Sequence, residues 1–247
     1  MTKVLLFLSF HLKAKQREQI TKMSLDLKWI LYDFVKVQYT ITQTEDNMED
    51  VQHFKDALLS NEPIYIYRKY LLGHDVWYFR NKLKKENHAE FYDDLKICMS
   101  EKLEIHINNI AIVGSAKLGF SITPTLEKAF KGFNDESDLD LVVVSSDLFR
   151  KCWMAYLDVA KTSRIPYYNK VTGNIFRKFI SLKNIEFNNE FFRQWKGKME
   201  PCQKDLQIIY QVPNEINYRI YESWEDVERY HVQGLEKLKD IISKEQQ

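Results

Sequence analysis

Two aspartates interrupt the most strand-like segment of the chain, "SDLDLVVVSS", which runs from Ser137 to Ser146. The surrounding Leu and Val residues are typical of a buried β-strand, in which an unpaired carboxylate is costly. Because side chains alternate between the two faces of a strand, Asp138 and Asp140 are predicted to share one face while their apolar neighbours point into the core. Their Cα atoms are then about 6.6–6.8 Å apart.

The pair of carboxylates allows two interpretations. Carboxylates at this separation can converge on one hard cation, or on two ions about 3.5–4 Å apart. Mg²⁺ is commonly bound by one or two carboxylates together with substrate phosphates and water. In the other interpretation, the aspartates lie in a turn at the start of the strand and accept hydrogen bonds from backbone N–H groups. The segment alone leaves both open.

A second motif precedes this strand in "NNIAIVGSAKLGF", where an apolar run ends at Gly114-Ser115. Glycine lets a backbone approach a phosphate closely, and the Ser115 hydroxyl and nearby N–H groups can bond phosphate oxygens. Lys117 either adds a positive charge beside them or is an exposed, solubilising lysine. The glycines fit neither the P-loop nor the dinucleotide-binding fingerprint.

The order of elements predicts an α+β fold, with helices first and a strand-rich half afterwards. We expect a helical N-terminal region over residues 1–107 and a core over 108–247, built on a mixed β-sheet flanked by helices. Besides the two motif strands, the predicted strands are "DLQIIYQV" (205–212) and "INYRIYES" (216–223). The predicted helices are "LDLKWILYDFVKVQYTI", "NMEDVQHFKDALLSN", "HDVWYFRNKLKKE", "HAEFYDDLKICMSEKLEI", "DLFRKCWMAYLDVAK" with Ser146 or Asp147 as its cap, and "SWEDVERYHVQGLEKLKDIISK" with Ser223 as its cap.

Composition narrows the class of protein. A net charge of +1 argues against a protein that coats nucleic acid non-specifically. The three cysteines lie far apart and form no CxxC pair, which predicts free thiols in the cytoplasm. The apolar run from Val4 to Phe10 is too short to cross a bilayer, so no membrane insertion is expected.

Together, "IAIVGS" and "SDLDLVVVS" resemble the signature of the polymerase-β-type nucleotidyltransferase superfamily over roughly Asn109 to Ser146. The resemblance implies that Gly114 and Ser115 hold the nucleotide phosphates and that Asp138 and Asp140 bind Mg²⁺ at a two-ion site. It also implies transfer of a nucleoside monophosphate from an NTP or dNTP to a hydroxyl, with release of pyrophosphate.

The closing "YRIYESWEDVERYHVQGL" resembles the tail of small bacterial members of unknown substrate, some linked with phage defence. This favours non-templated oligonucleotide or nucleotide-signal synthesis, with a short single-stranded oligonucleotide or a protein as acceptor and an effector protein as a possible partner. The alternatives are an AMP-transferring toxin/antitoxin-type enzyme that acts on protein or tRNA, and a degenerate module that binds nucleotides without turnover.

Two departures from the family pattern matter. The loop after Ser115 is long, and its "GFSITPTLEKAF" is a candidate for substrate contacts. Active members also carry a third carboxylate, for which Asp205 is the first candidate and Glu222 the second, while Arg219 occupies a position where an acid is expected. A missing third acid favours the degenerate module.

Two strand tyrosines, Tyr218 and Tyr221, either stack on a base or belong to the core.

Overall fold

A four-stranded mixed β-sheet organises the computed structural model, which describes residues 48–183 and 188–245. The strands are β1 (Ile110–Val113), β2 (Leu139–Val144), β3 (Phe179–Leu182) and β4 (Ile216–Tyr221), and their order in the sheet is β1-β2-β4-β3. β2 runs antiparallel to β1 and parallel to β4, and β3 runs antiparallel to β4. The predicted α+β class is therefore confirmed, as are the strands of both motifs and the strand that begins at Ile216.

Helices account for most of the remaining described chain. The helix α1 covers residues 48–60. It is followed by α2 (Pro63–Ile66), which continues as a π-helical segment (Tyr67–Leu71), by a second π-helical segment (Tyr78–Lys82), by α3 (His88–Leu103), by α4 (Ser115–Leu118), by α5 (Ser146–Thr162), by α6 (Tyr168–Phe176), by α7 (Glu190–Ile208) and by α8 (Trp224–Glu245). Within the residues described, none of these helices has both the length and the apolar character needed to cross a membrane.

The chain divides into two units, Met1–His53 and Phe54–Gln247. Of the first unit, only residues 48–53 are described, and they are helical. The predicted helix "LDLKWILYDFVKVQYTI" and the apolar run from Val4 to Phe10 lie outside the described residues, and the predicted boundary at residue 107 stays a prediction. All three cysteines are free thiols, as expected.

Two local predictions are wrong. The segment 205–212 is not a strand: its first half completes α7, and the chain then turns toward β4. Leu206 is buried, whereas Ile208 and Ile209 are exposed, so the apolar run belongs to one helix end and not to a sheet. The cap of α5 is Ser145, whose hydroxyl accepts a hydrogen bond from the Leu148 N–H at 3.2 Å.

The two faces of the sheet differ sharply. Leu139, Leu141 and Val143 of β2 point to one face, where they are fully buried with side chains of α3, α5 and α7 in a single core. The register puts Asp140 on the other face together with Asn217 of β4. The α8 helix covers part of this second face, where Tyr230 packs edge-on against Phe179 at 4.9 Å between ring centroids.

Candidate functional site

The strand register brings the two sequence motifs together. Val113, the last residue of β1, lies opposite Asp140 on β2, so the Gly114-Ser115 bend follows directly beside the aspartate. Gly114 adopts φ +70° and ψ −147°, a region that other residues rarely occupy. A Cβ atom at Gly114 would lie only 2.9 Å from Asp140 Oδ2. Glycine is therefore required here both by its backbone angles and by the carboxylate beside it.

Asp140 is held by three donors. Arg219 binds it in bidentate fashion, with Nε 3.0 Å from Oδ1 and Nη2 2.8 Å from Oδ2. Asn217 Nδ2 donates to Oδ1 at 2.7 Å. The side chains of Asp140 and Arg219 are only 19% and 21% exposed, so water screens this ion pair weakly. A fixed protein cation thus neutralises the carboxylate.

Asp138 has a different environment. Lys183 Nζ donates to both of its oxygens at 2.8 Å and also lies 3.2 Å from Glu215 Oε2. A hydrogen bond to Asp138, opposed in part by burial, raises the pKa of Lys183. About a third of each side chain in the Asp138–Lys183 pair is exposed, so this pair is easier to separate than Asp140–Arg219.

A cavity of about 320 Å³ opens beside the Gly-Ser bend. Three cationic side chains and one carboxylate line it: Arg177, Arg219, Lys237 and Asp140. Among the residues that the structure describes, Arg177 and Lys237 have no acidic partner, and Asp140 offsets only Arg219. The lining therefore carries an excess of positive charge, which suits an anionic ligand.

Two further elements complete the wall of the cavity. Ser121 to Pro124 contribute from the long loop after Ser115, which is the segment expected to carry substrate contacts. The ends of that loop are joined by an isolated antiparallel bridge between Phe120 and Gly132. The α8 helix contributes Tyr230, Gln233, Gly234 and Lys237, whose spacing of three and four residues places them on one helix face.

His231 is a cavity residue that sequence reasoning missed. The side chain is 5% exposed and lines the cavity, and its Nε2 has no hydrogen-bond partner among the residues that the structure describes. Burial, and then the charge of Arg219, lower its pKa to about 3. Its ring stacks on Tyr67, with centroids 6.0 Å apart. In the sequence it was an isolated histidine on an amphipathic helix, a pattern that any core histidine shares.

Other predicted residues lie away from the cavity. Lys117 is buried, and its ammonium donates to the Gly73 carbonyl oxygen; burial lowers its pKa to about 8. Tyr218 points to the core face, edge-on to Trp195. The ring of Tyr221 is buried and stacks on Phe179 at 5.1 Å. Neither tyrosine lines the cavity, so Tyr230 is the aromatic side chain placed to meet a ligand.

The two candidates for a third carboxylate lie elsewhere. Asp205 is on α7 and forms an ion pair with Lys102 at 3.5 Å. Glu222 follows the far end of β4 and pairs with Lys178 at 2.7 Å. β4 and β2 are parallel, and Tyr221 is level with Val144. Glu222 therefore lies roughly 13 Å or more along the strands from Asp140.

The donor set does not suit the two-ion site that the family resemblance implies. Each oxygen of Asp138 and Asp140 already accepts a hydrogen bond from Lys183 or Arg219. An ion at Asp140 would displace the guanidinium and leave a buried charge unpaired. Within residues 48–183 and 188–245, no three His, Cys, Asp or Glu side chains converge to hold a metal. Magnesium binding stays a prediction.

Comparison of the chain with family models, with curated proteins and with solved structures gives no match.

Proposed function

We propose that the cavity beside Gly114-Ser115 binds the phosphates of a nucleotide. One observation carries the proposal: the Gly-Ser bend, Asp140 and three cationic side chains line the same cavity. Ser115 also lines this cavity, and its hydroxyl has no hydrogen-bond partner among the described residues. Guanidinium and ammonium groups are the usual partners of phosphate oxygens, and a close glycine backbone leaves room for them.

Of the functions expected from the sequence, nucleotide binding without turnover fits this geometry better than nucleotidyl transfer. The position on β4 where an active enzyme is expected to carry an acid holds Arg219, and that arginine binds both oxygens of Asp140. A carboxylate that is engaged by a buried cation is poorly available as a ligand for a catalytic ion. The chain is then a nucleotide-binding module on a nucleotidyltransferase-like fold.

A Mg²⁺-dependent nucleotidyltransferase is the second candidate, and one observation favours it. Asp140 lies on β2 beside the Gly-Ser bend, and Asp138 directly precedes that strand. The partner of Asp138, Lys183, is a surface residue that an incoming ion can displace at low cost. The reaction would transfer a nucleoside monophosphate to a hydroxyl acceptor and release pyrophosphate.

Calorimetric titration with ATP, GTP, CTP and UTP tests the binding proposal. A helical glycine in the cavity lining allows the cavity to be filled by substitution. A side chain at Gly234 would extend from the cavity wall into open space, so Gly234→Trp fills the cavity without disturbing packed neighbours. Gly197→Trp is the matched control, since Gly197 is also helical, open to substitution and absent from the cavity lining. We expect wild type and Gly197→Trp to bind and Gly234→Trp not to bind. Equal binding by both variants would refute the cavity as the site.

A turnover assay separates the two candidates. The protein is incubated with each α-labelled NTP and dNTP in magnesium, and released pyrophosphate and labelled products are measured. The module predicts no product above that of the Asp138→Ala/Asp140→Ala double variant. Product that disappears in the double variant would establish the transferase, and its nature would identify the acceptor: a labelled protein, or a soluble ladder of oligonucleotides.

A further inference from the structure

A basic stretch of the chain covers α6 and its flanks. Residues 159–183 contain six lysines and arginines and no aspartate or glutamate. Three of these cations pair with acidic residues outside the stretch. The other three, Arg164, Lys170 and Arg177, are exposed and have no acidic partner among the described residues. The chain as a whole carries a net charge of only +1, so this stretch is a local concentration of positive charge.

Exposed aromatic rings lie between these cations. Tyr167, Tyr168 and Phe176 are 83%, 55% and 88% exposed. The α6 helix packs on the core through Val171 and Ile175, whereas the three rings face solvent. Tyr168 and Phe176 are eight residues apart and therefore about 12 Å apart along the helix axis. A cluster of large rings in water is typical of an interaction site.

The backbone of Tyr167 points to the same conclusion. It adopts φ +54° and ψ +38°, the left-handed region, which a bulky side chain rarely occupies. The ring that this conformation presents is largely exposed, so packing within the described structure does not compensate for the strain. Outliers of this kind are concentrated at ligand-binding sites.

We infer that the exposed side of α6 binds single-stranded nucleic acid, with bases stacked on the aromatic rings and phosphates paired with the cations. This α6 surface comprises Arg164, Tyr167, Tyr168, Lys170, Phe176 and Arg177. In a duplex the faces of the bases are covered by neighbouring bases, so the rings favour a single strand. The inference goes beyond the proposed nucleotide binding and does not depend on it.

Two observations favour a nucleic acid over an anionic membrane, which the same charge would attract. The α6 helix directs Val171 and Ile175 to the core, so it has no aliphatic face for acyl chains. Arg177 follows the last residue of α6 and also lines the cavity beside Gly114-Ser115. A strand on the α6 surface therefore extends to the cavity that is proposed to hold the phosphates of a nucleotide.

Fluorescence anisotropy of the full chain with a labelled strand of about 15 thymidines tests the inference. The matched probe is an abasic strand with the same number of phosphates. We expect the thymidine strand to bind at least about tenfold more tightly, because only this strand offers bases to stack. With three phosphate contacts, the logarithm of Kd should rise with the logarithm of the salt concentration with a slope of about 2.

Substitutions separate the two kinds of contact, and thermal melting confirms that each variant is folded. Tyr168→Ser/Phe176→Ser should remove most of the advantage of the thymidine strand and leave the abasic strand unchanged. Lys170→Glu should weaken both strands about tenfold. Lys204→Glu is the matched control, because this exposed lysine of α7 also has no acidic partner within the described structure, and it should have no effect. None of these residues lines the cavity, so the Kd for ATP should be unchanged in all three variants.

Four outcomes discriminate between the hypotheses. Equal affinity for the thymidine and abasic strands would refute stacking on the rings and with it the inference. An equal loss in Lys170→Glu and Lys204→Glu would show that net charge holds the strand, which refutes the α6 surface as the site. Binding to phosphatidylserine vesicles but to neither strand would identify a membrane contact instead. Strand binding without ATP binding would refute only the proposed function, and ATP binding without strand binding would refute only this inference.

Discussion

Replacement of Asp140 by Asn should destabilise the protein. The sign of the change in unfolding free energy shows whether Asp140 is paired with Arg219. Arg219 would keep its charge in a position that is four-fifths shielded from water and would lose the bidentate partner. Removal of one member of a buried pair costs about 3–5 kcal/mol, and the partial exposure here favours the lower value of about 3 kcal/mol. For a chain of this size, that loss lowers Tm by roughly 6–12 °C.

A free pair of carboxylates predicts the opposite result. If Asp138 and Asp140 were unpaired and awaited a cation, they would repel each other, and removal of either would raise stability in the absence of metal. The measurement is urea unfolding in EDTA, followed by circular dichroism. Asp138→Asn is the matched control, with an expected loss of at most about 1 kcal/mol because its pair is more exposed. The double variant Asp140→Leu/Arg219→Met should regain much of the loss. An Asp140→Asn variant as stable as wild type would refute the buried ion pair.

Five other substitutions have clear expected outcomes. Gly114→Ala should cost at least about 1–3 kcal/mol in unfolding free energy, because of its backbone angles and the Asp140 contact, whereas Gly132→Ala, which has open space, should cost little. Since folding lowers the pKa of His231 to about 3, the unfolded chain gains a proton near pH 6.5 that the folded chain does not. Stability should therefore fall on acidification below pH 6.5, by up to about 1.4 kcal/mol per pH unit, and melting of His231→Phe should lack this component. Lys117→Met should leave the Kd for ATP unchanged, because Lys117 binds Gly73 and not the cavity, whereas Arg177→Ala should weaken binding about tenfold.

The sequence predicted local structure correctly where the hydrophobic periodicity agreed with the residues that cap or end an element. The β2 strand is a run of Leu and Val that Asp140 interrupts, and alternation correctly put its Leu residues in the core and Asp140 on the opposite face, whereas Asp138 lies just before the strand. Ser223 and Asp226 marked the start of α8, where the Asp226 N–H donates to the Ser223 hydroxyl at 3.2 Å and that hydroxyl donates to Oδ2 at 2.7 Å. Such signals depend on neighbouring residues, so they can be recognised without knowledge of the tertiary structure.

Errors arose where the partner of a side chain comes from distant parts of the chain. The segment 205–212 is as apolar as a strand, and only its packing shows that Leu206 belongs to a helix. Lys117 follows the Gly-Ser bend closely, yet a half turn of helix directs its ammonium to Gly73, 44 residues earlier. The pairing of Asp140 with Arg219 spans 79 residues and depends on the strand order, which no local pattern encodes.

The shielded guanidinium of Arg219 also offers a spectroscopic probe. Its Nε proton is held against Oδ1 of Asp140 and partly withdrawn from solvent, conditions that slow proton exchange and separate such a resonance from those of surface arginines. A nitrogen–proton correlation spectrum should therefore contain one distinctive arginine side-chain signal. Any molecule that enters the cavity changes the field at that proton, so occupancy can be followed by the shift of a single natural nucleus, with no attached dye.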